Sequence, residues 1–174
     1  MRTPHLKTRG FSILENLIAV TIVALMVAMG IPSMTESIRN NRIRSMADEY
    51  SDGLRLAQQE AVTRNRTIRF EVSSAGWRVF VPGATASLDT NLNTRTVLSA
   101  ESTYRATASA TTLSFNGAGR ATSGVFSVDF THATVACQSA GGTARCLRLV
   151  VAPGGAIRTC DPVVASTDPR SCPA

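Results

Sequence analysis

One carboxylate and its surroundings make the most exacting chemical demand in this sequence. Glu15 follows Lys7-Thr-Arg-Gly-Phe-Ser-Ile-Leu and precedes, after Asn16, an almost unbroken apolar run over residues 17–31. A charge placed in a bilayer core costs about 2.5–3.5 kcal/mol on insertion scales, and such a residue ordinarily marks function. Glu15 therefore requires a partner of opposite sign. An ordinary secretory signal would carry a positive start, about 7–15 apolar residues and a small-residue cleavage site. Here Glu15 and Asn16 interrupt the start of the apolar core, and Met-Gly-Ile-Pro-Ser-Met follows it. An uncleaved anchor has the length but no use for Glu15. A helix buried in a soluble core has no need of the basic flank Arg2, Lys7 and Arg9.

The other reactive residue types point away from catalysis. Of the two histidines, His5 lies in the basic leader and His132 is flanked by Thr131 and Ala133. No Gly-x-Ser-x-Gly elbow accompanies them. The spacing of Asp161 and Asp168 matches no calcium loop. Cys137, Cys146, Cys160 and Cys172 include no C-x-x-C pair, so zinc ligation is not expected. The chain is thus expected to be no enzyme and to hold neither metal nor cofactor.

The elements that must position these residues divide the chain. Past residue 31 a helical pattern continues through Met34, Ile38, Ile43, Met46, Tyr50, Leu54, Ala57 and Ala61, with charged residues between them. Gly30 and Pro32 predict a kink or a loosened turn. A helix from near residue 11 to near residue 64 would span roughly 75–80 Å, more than a globular core can bury. From Thr67 the period changes: Thr67-Ile-Arg-Phe-Glu-Val and Trp77-Arg-Val-Phe-Val form a hairpin across Ser-Ser-Ala-Gly. Further strands are expected at 96–98, 110–115, 124–130, 146–152 and 156–159, with loops at 82–93 and 116–120. The expected fold class is α+β: a long N-terminal α-helix, transmembrane and then amphipathic, packed on an antiparallel β-sheet head. Its divisions are a leader at 1–10, a membrane or filament-core helix at 11–32, an amphipathic helix at 33–65 and a β-rich head at 66–174. With 174 residues, one head is the default.

The order of basic leader, Gly10-Phe11, Ser-Ile-Leu-Glu and apolar run resembles the class III signal of type IV pilins and type II secretion pseudopilins. The resemblance implies that a prepilin peptidase cuts after Gly10 and that the new N-terminus, Phe11, is methylated. Cleavage would create an amine at Phe11, one helical turn before Glu15. In that family the equivalent glutamate is thought to meet the N-terminal amine of the neighbouring subunit, so that two costly charges offset each other. Leu56-Ala-Gln-Gln-Glu-Ala-Val-Thr-Arg-Asn, Leu113-Ser-Phe-Asn-Gly-Ala-Gly-Arg and Arg148-Leu-Val-Val-Ala-Pro-Gly-Gly-Ala-Ile-Arg narrow the likeness to the GspH/FimT group of minor pilins and pseudopilins. The implied function is that of a minor, FimU-like pilin that primes or caps a type IV pilus. A type II secretion subunit and a DNA-binding pilin for natural transformation are the alternatives. The implied partners are the prepilin peptidase, other pilins through the N-terminal helix, and the inner membrane. The implied location is single-pass in that membrane with a periplasmic head, and then in a filament.

Export bears on charge and on the cysteines. Loss of Arg2, Lys7 and Arg9 takes 18 basic residues to 15 against 12 acids, so +6 becomes +3 and basicity is a weak guide to partners. In an oxidising compartment an even cysteine count argues for disulfides. Three connectivities are possible; the expected one is Cys137–Cys146 with Cys160–Cys172, because each closes a local loop rich in Gly, Pro or small polar residues. Some FimT-like proteins carry Gly-Arg-x-Arg near the C-terminus for the DNA backbone. Here Gly155-Ala-Ile-Arg keeps the second arginine only, and Gly119-Arg-Ala-Thr the first. Arg145, Arg148, Arg158 and Arg170 remain as possible DNA contacts, without aromatic residues for base stacking.

Overall fold

The computed structural model describes residues 12–73, 75–96 and 103–173, and the side chains of these except for residues 27–33. Gly10 and Phe11 lie outside the described residues. The chain divides into two units, Met1–Ser37 and Ile38–Ala174. A helix, α1 (Ile13–Arg64), begins in the first unit and ends in the second.

In the first unit Ser12 opens the helix. Its Oγ accepts from the Leu14 N–H at 3.3 Å, and its carbonyl accepts from the Asn16 N–H at 3.1 Å, so two N-terminal donors are satisfied. Glu15 sits in the first turn, where a negative charge suits the positive end of the helix dipole. Leu14, Leu17, Ile18, Val20, Val23, Leu25 and Met26 are all exposed. The helix continues through Gly30 and Pro32 without a break. Among the described residues no helix is long and apolar enough to cross a membrane. The apolar residues 17–26 rise about 15 Å, half of a bilayer's hydrocarbon core.

In the second unit the same helix buries one stripe: Ile43, Met46, Ala47, Tyr50, Leu54, Ala57 and Ala61. Their spacings of one, three or four residues keep them on one face. Met34 and Ile38, which continue the periodic pattern N-terminally, are exposed. The helix ends in a Schellman motif. The Arg66 N–H reaches back to the Ala61 carbonyl at 3.2 Å and the Asn65 N–H to Val62 at 3.2 Å. Asn65 takes the left-handed conformation this closure needs, with φ 46°.

Eight strands follow: β1 (Ile68–Val72), β2 (Gly76–Val81), β3 (Thr90–Thr96), β4 (Tyr104–Ala108), β5 (Thr112–Phe115), β6 (Phe126–His132), β7 (Leu147–Val151) and β8 (Ile157–Cys160). They form two antiparallel four-stranded sheets, ordered β3-β2-β1-β5 and β4-β6-β7-β8. In the first sheet Phe70 faces both Val79 and Leu113. In the second, Val128 faces Leu149 and Phe130 faces Leu147. The inward residues of both sheets join the helix stripe in one core cluster. Tyr50 bridges the halves, edge-on to Phe70 of the first sheet at 6.4 Å and to Phe130 of the second at 5.2 Å. Its hydroxyl is buried without a partner, and burial, helped by Glu49, pushes its pKa up to about 12. Gly53 lets the helix approach the Trp77 indole, since a Cβ there would lie 2.7 Å from Cε2.

Three departures from the sequence-based expectation have physical causes. The stretch 82–93, expected as a loop, ends in β3, whose Thr-Asn-Leu-Asn-Thr-Arg-Thr is almost entirely exposed. It is an edge strand held by its ladder to β2, so it needs no apolar alternation. β4 was not expected at all; its inward positions are Ala106 and Ala108 beside Tyr104, too small to mark a buried face. Finally, the head is built from two sheets because β1 pairs with β5, while β4, between them in sequence, pairs with β6.

Candidate functional site

Two surfaces carry the residues singled out by sequence. On the first unit, Glu15 is exposed among exposed apolar residues. No ion pair engages it among the described residues.

On the second unit, two disulfides tie the C-terminal third of the chain. Cys137 is bonded to Cys146, and Cys160 to Cys172, with no free cysteine. The first bridge closes a loop that grips the helix. The Arg39 Nη2 donates to Thr143 Oγ1 at 3.1 Å, and the Arg145 N–H donates to Asn40 Oδ1 at 3.0 Å. Gly142 is required in this loop, because a Cβ would fall 2.0 Å from the Ala136 carbonyl oxygen. The second bridge folds the tail back, so that the Asp161 N–H donates to the Arg170 carbonyl at 2.8 Å.

The four arginines considered for phosphate contact are already engaged. Arg145 Nε donates to Asp161 Oδ2 at 2.8 Å. Arg148 grips Asp129 in a bidentate pair at 2.7 and 3.0 Å. Arg170 does the same to Asp168 at 3.0 and 2.7 Å. Arg158 donates to the Pro169 carbonyl at 3.2 Å. The hydrogen bonds from Arg170 hold Asp168 down at about 2, and Asp129 raises Arg148 by its hydrogen bond. Asp161 is 4 % exposed and also accepts from the Val163 N–H at 3.0 Å. A carboxylate thus stands against three of the four guanidinium groups.

His132 is occupied locally. Its Nδ1 accepts from the Thr134 and Val135 N–H groups at 3.3 and 3.2 Å, and its ring packs edge-on against Tyr104 at 5.1 Å. Burial foremost, and then Arg39, lowers its pKa. Among the described residues no cluster of three or more histidine, cysteine or acidic side chains could hold a metal ion.

A third arrangement was not foreseen as a site, although sequence reasoning had singled out its three segments separately. Gln58 on the helix donates through one amide nitrogen to the Gly119 carbonyl at 2.7 Å and to the Gly155 carbonyl at 3.0 Å. Gly119 belongs to the turn after β5 and Gly155 to the turn between β7 and β8, one from each sheet. Both glycines have positive φ, 72° and 89°. A Cβ at Gly155 would lie 2.3 Å from the Gly119 oxygen and 2.6 Å from the Gln58 amide nitrogen. The available signal was the pairing of a helical glutamine with two Gly-x-Gly or Gly-Gly turns; spacing alone could not join them.

Known proteins share this architecture. The family described as Type II transport protein GspH matches residues 46–155. The Type II secretion system protein H of Escherichia coli (strain K12) is 29% identical over 80 residues, 45% of this chain and 47% of that protein, so the match spans about half of that relative's length. The crystal structure of the type IV minor pilin FimU of Pseudomonas aeruginosa superposes with a TM-score of 0.58 at 18% identity, covering 76% of this chain and 96% of that one. The minor pseudopilin EpsH of the Vibrio cholerae type 2 secretion system gives 0.52 at 13%, over 71% and 99% of the two chains. The solution structure of E. coli GspH gives 0.51 at 20%, over 77% and 96%. At these identities the solved structures speak for the fold.

Proposed function

Because the chain belongs to the GspH family, we propose that it is a non-catalytic filament subunit: a minor pilin that helps prime or cap a type IV pilus. The observation that carries this reading is the apolar surface of residues 13–26, whose large side chains are exposed and have no cover among the described residues of their own unit. Exposed apolar area of this kind calls for a lipid or protein partner. In the proposed sequence of events a prepilin peptidase cuts after Gly10 and Phe11 is methylated. The helix then exchanges the inner membrane for the helices of neighbouring pilins. Glu15 meets the Phe11 amine of a neighbour, and the two charges offset each other away from water. Glu15→Ala leaves that amine unpaired, at several kcal/mol. The fraction of chain recovered in sheared filaments should drop roughly tenfold or more, while the head's unfolding stays unchanged. Normal incorporation of Glu15→Ala would sink the proposal.

A pseudopilus of type II secretion is the second reading, favoured by the description of the family and by the E. coli relative. Deletion separates the two: loss of surface pili with secretion intact supports the first, and the converse the second. DNA capture gains little from Arg145, Arg148 and Arg170, each of which already faces a carboxylate. A mobility shift that weakens steeply with salt would revive it.

A further inference from the structure

Arg44, Asp48, Arg145, Leu147, Asp161 and Arg170 line a cleft of about 190 Å³. A smaller hollow of about 80 Å³ shares Arg44, Arg145 and Leu147 with it and extends to Asn40 and Asn41. The three guanidinium groups of the larger cleft come from segments far apart in sequence: the helix, the residue two before β7, and the disulfide-tied tail. They are not equivalent. Arg145 is fixed by Asp161, and Arg170 by Asp168. Arg170 also feels Asp161, and Asp168 feels Arg145, so the four groups form one network. Cys160 lines the cleft and is bonded to Cys172, two positions beyond Arg170. Arg44, by contrast, is exposed and has no ion pair or hydrogen bond among the described residues. Arg145 engages Asp161 through Nε, and Arg170 engages Asp168 through Nε and Nη2, so each is held in place while keeping N–H donors for one further acceptor. With the open Arg44 they make a preorganised site for a single anionic group, in which little side-chain freedom is lost on binding.

We propose that this cleft binds a carboxylate presented by a peptide side chain, with Arg44 as the closing contact and Arg145 and Arg170 as the fixed ones. The balance of charge selects the ligand. Asp48 and Asp161 line the same cleft and Asp168 holds Arg170. A run of phosphates would therefore meet carboxylates alongside the arginines, whereas a single planar group can sit among the guanidinium donors. The size of the cleft, close to that of one large residue, points the same way. The peptide source rests on the filament reading above, in which a neighbouring subunit brings its acidic side chains; the carboxylate chemistry does not.

The full chain in detergent micelles, with ¹⁵N-labelled arginine, can be titrated with glutarate, with an end-blocked glycine-serine peptide carrying one glutamate, with the same peptide carrying glutamine, and with a short oligothymidylate. Glutarate and the glutamate peptide should shift the Nε–Hε signals of Arg44, Arg145 and Arg170 saturably, the peptide more tightly, and the glutamine peptide should not. Arg44→Gln leaves the Arg145–Asp161 and Arg170–Asp168 pairs intact and should weaken glutarate about tenfold, the loss of one charge-assisted contact. No saturable shift at these arginines, or unchanged binding by Arg44→Gln, overturns the proposal. Tighter binding of the oligothymidylate at the same signals also overturns it, in favour of phosphate. Binding of glutarate but not of the glutamate peptide keeps the carboxylate and removes the peptide. Filament incorporation of Glu15→Ala moves independently of all these outcomes, so failure of the filament reading is seen separately.

Discussion

Along α1, residues 17–26 and residues 43–61 are both rich in apolar side chains, yet the first set is exposed and the second is buried on one stripe. The difference lies in what stands between the apolar positions. In the second set Arg44, Asp48, Asp52 and Arg55 fill the outward positions, so the helix has a wet face and a dry one, and the dry one meets two sheets of its own chain. Residues 17–26 carry no charge and have no such division. A helix that is apolar all round cannot be satisfied by one neighbour on one side; it needs surroundings, and these have to come from outside its own unit. One helix therefore folds the head with its C-terminal part, and under the proposed function its N-terminal part is left for assembly.

That contrast can be broken most forcefully by matched truncations. Leu54→Ala opens a cavity in the core and should lower stability by about 2–5 kcal/mol, whereas Leu17→Ala should stay within about 0.5 kcal/mol. Denaturant unfolding of the full chain followed through the single tryptophan, Trp77, measures both. Equal losses would mean that residue 17 is part of the folded core. Next in size is Gln58→Ala, which removes two hydrogen bonds to partly buried carbonyls and should cost about 1–3 kcal/mol. Its exposed neighbour Gln59, changed in the same way, should show almost no effect.

Gly53→Ala sets two effects against each other. Helix propensity gains about 1 kcal/mol, but the new Cβ overpacks against Trp77, at about 1–3 kcal/mol. Because the contact distance is 2.7 Å and the indole is itself buried, the loss should win and the tryptophan emission should shift. The smallest effect is expected from pH. The folded pKa of His132 is depressed, so as pH falls below the unfolded value of about 6.5 the unfolded chain takes up the proton first. Stability should be full above that value, fall through it and level off below the folded pKa, and His132→Gln should flatten this step. Asp168, also depressed, adds a separate loss only below about 4, completed near 2.

Local chemistry announced much of this architecture. The helix end near residue 64, the Trp77 strand and the helical stripe follow from periodicity and from its change at Thr67, signals that act over a few residues. The division into two sheets did not follow. It depends on β1 taking β5 as its second partner while β4 pairs with β6, a long-range choice that no strand's composition carries. β3 was hidden because an edge strand can be polar on both faces, and β4 because alanine marks burial poorly. The cleft was half visible: Arg145 and Arg170 were picked out, but Arg44 looks like an ordinary solvated helix charge until the fold brings Arg145 and Arg170 to the same cleft. The carboxylates opposite Arg145, Arg148 and Arg170 were equally invisible, since Asp129, Asp161 and Asp168 lie 2 to 19 positions away.

The amide of Gln58 makes its two bonds across 61 and 97 residues of chain. It works as a coincidence detector, because it is fully engaged only when the turn of the first sheet and the turn of the second have both arrived. A nascent head with one sheet formed leaves that detector half-answered, so there is little to gain from stopping midway. Such a head should fold in one late step, after the polypeptide has emerged past Gly155, and a chain with a defective second sheet would reveal the fault at the helix, the element that the proposed function gives to neighbouring subunits.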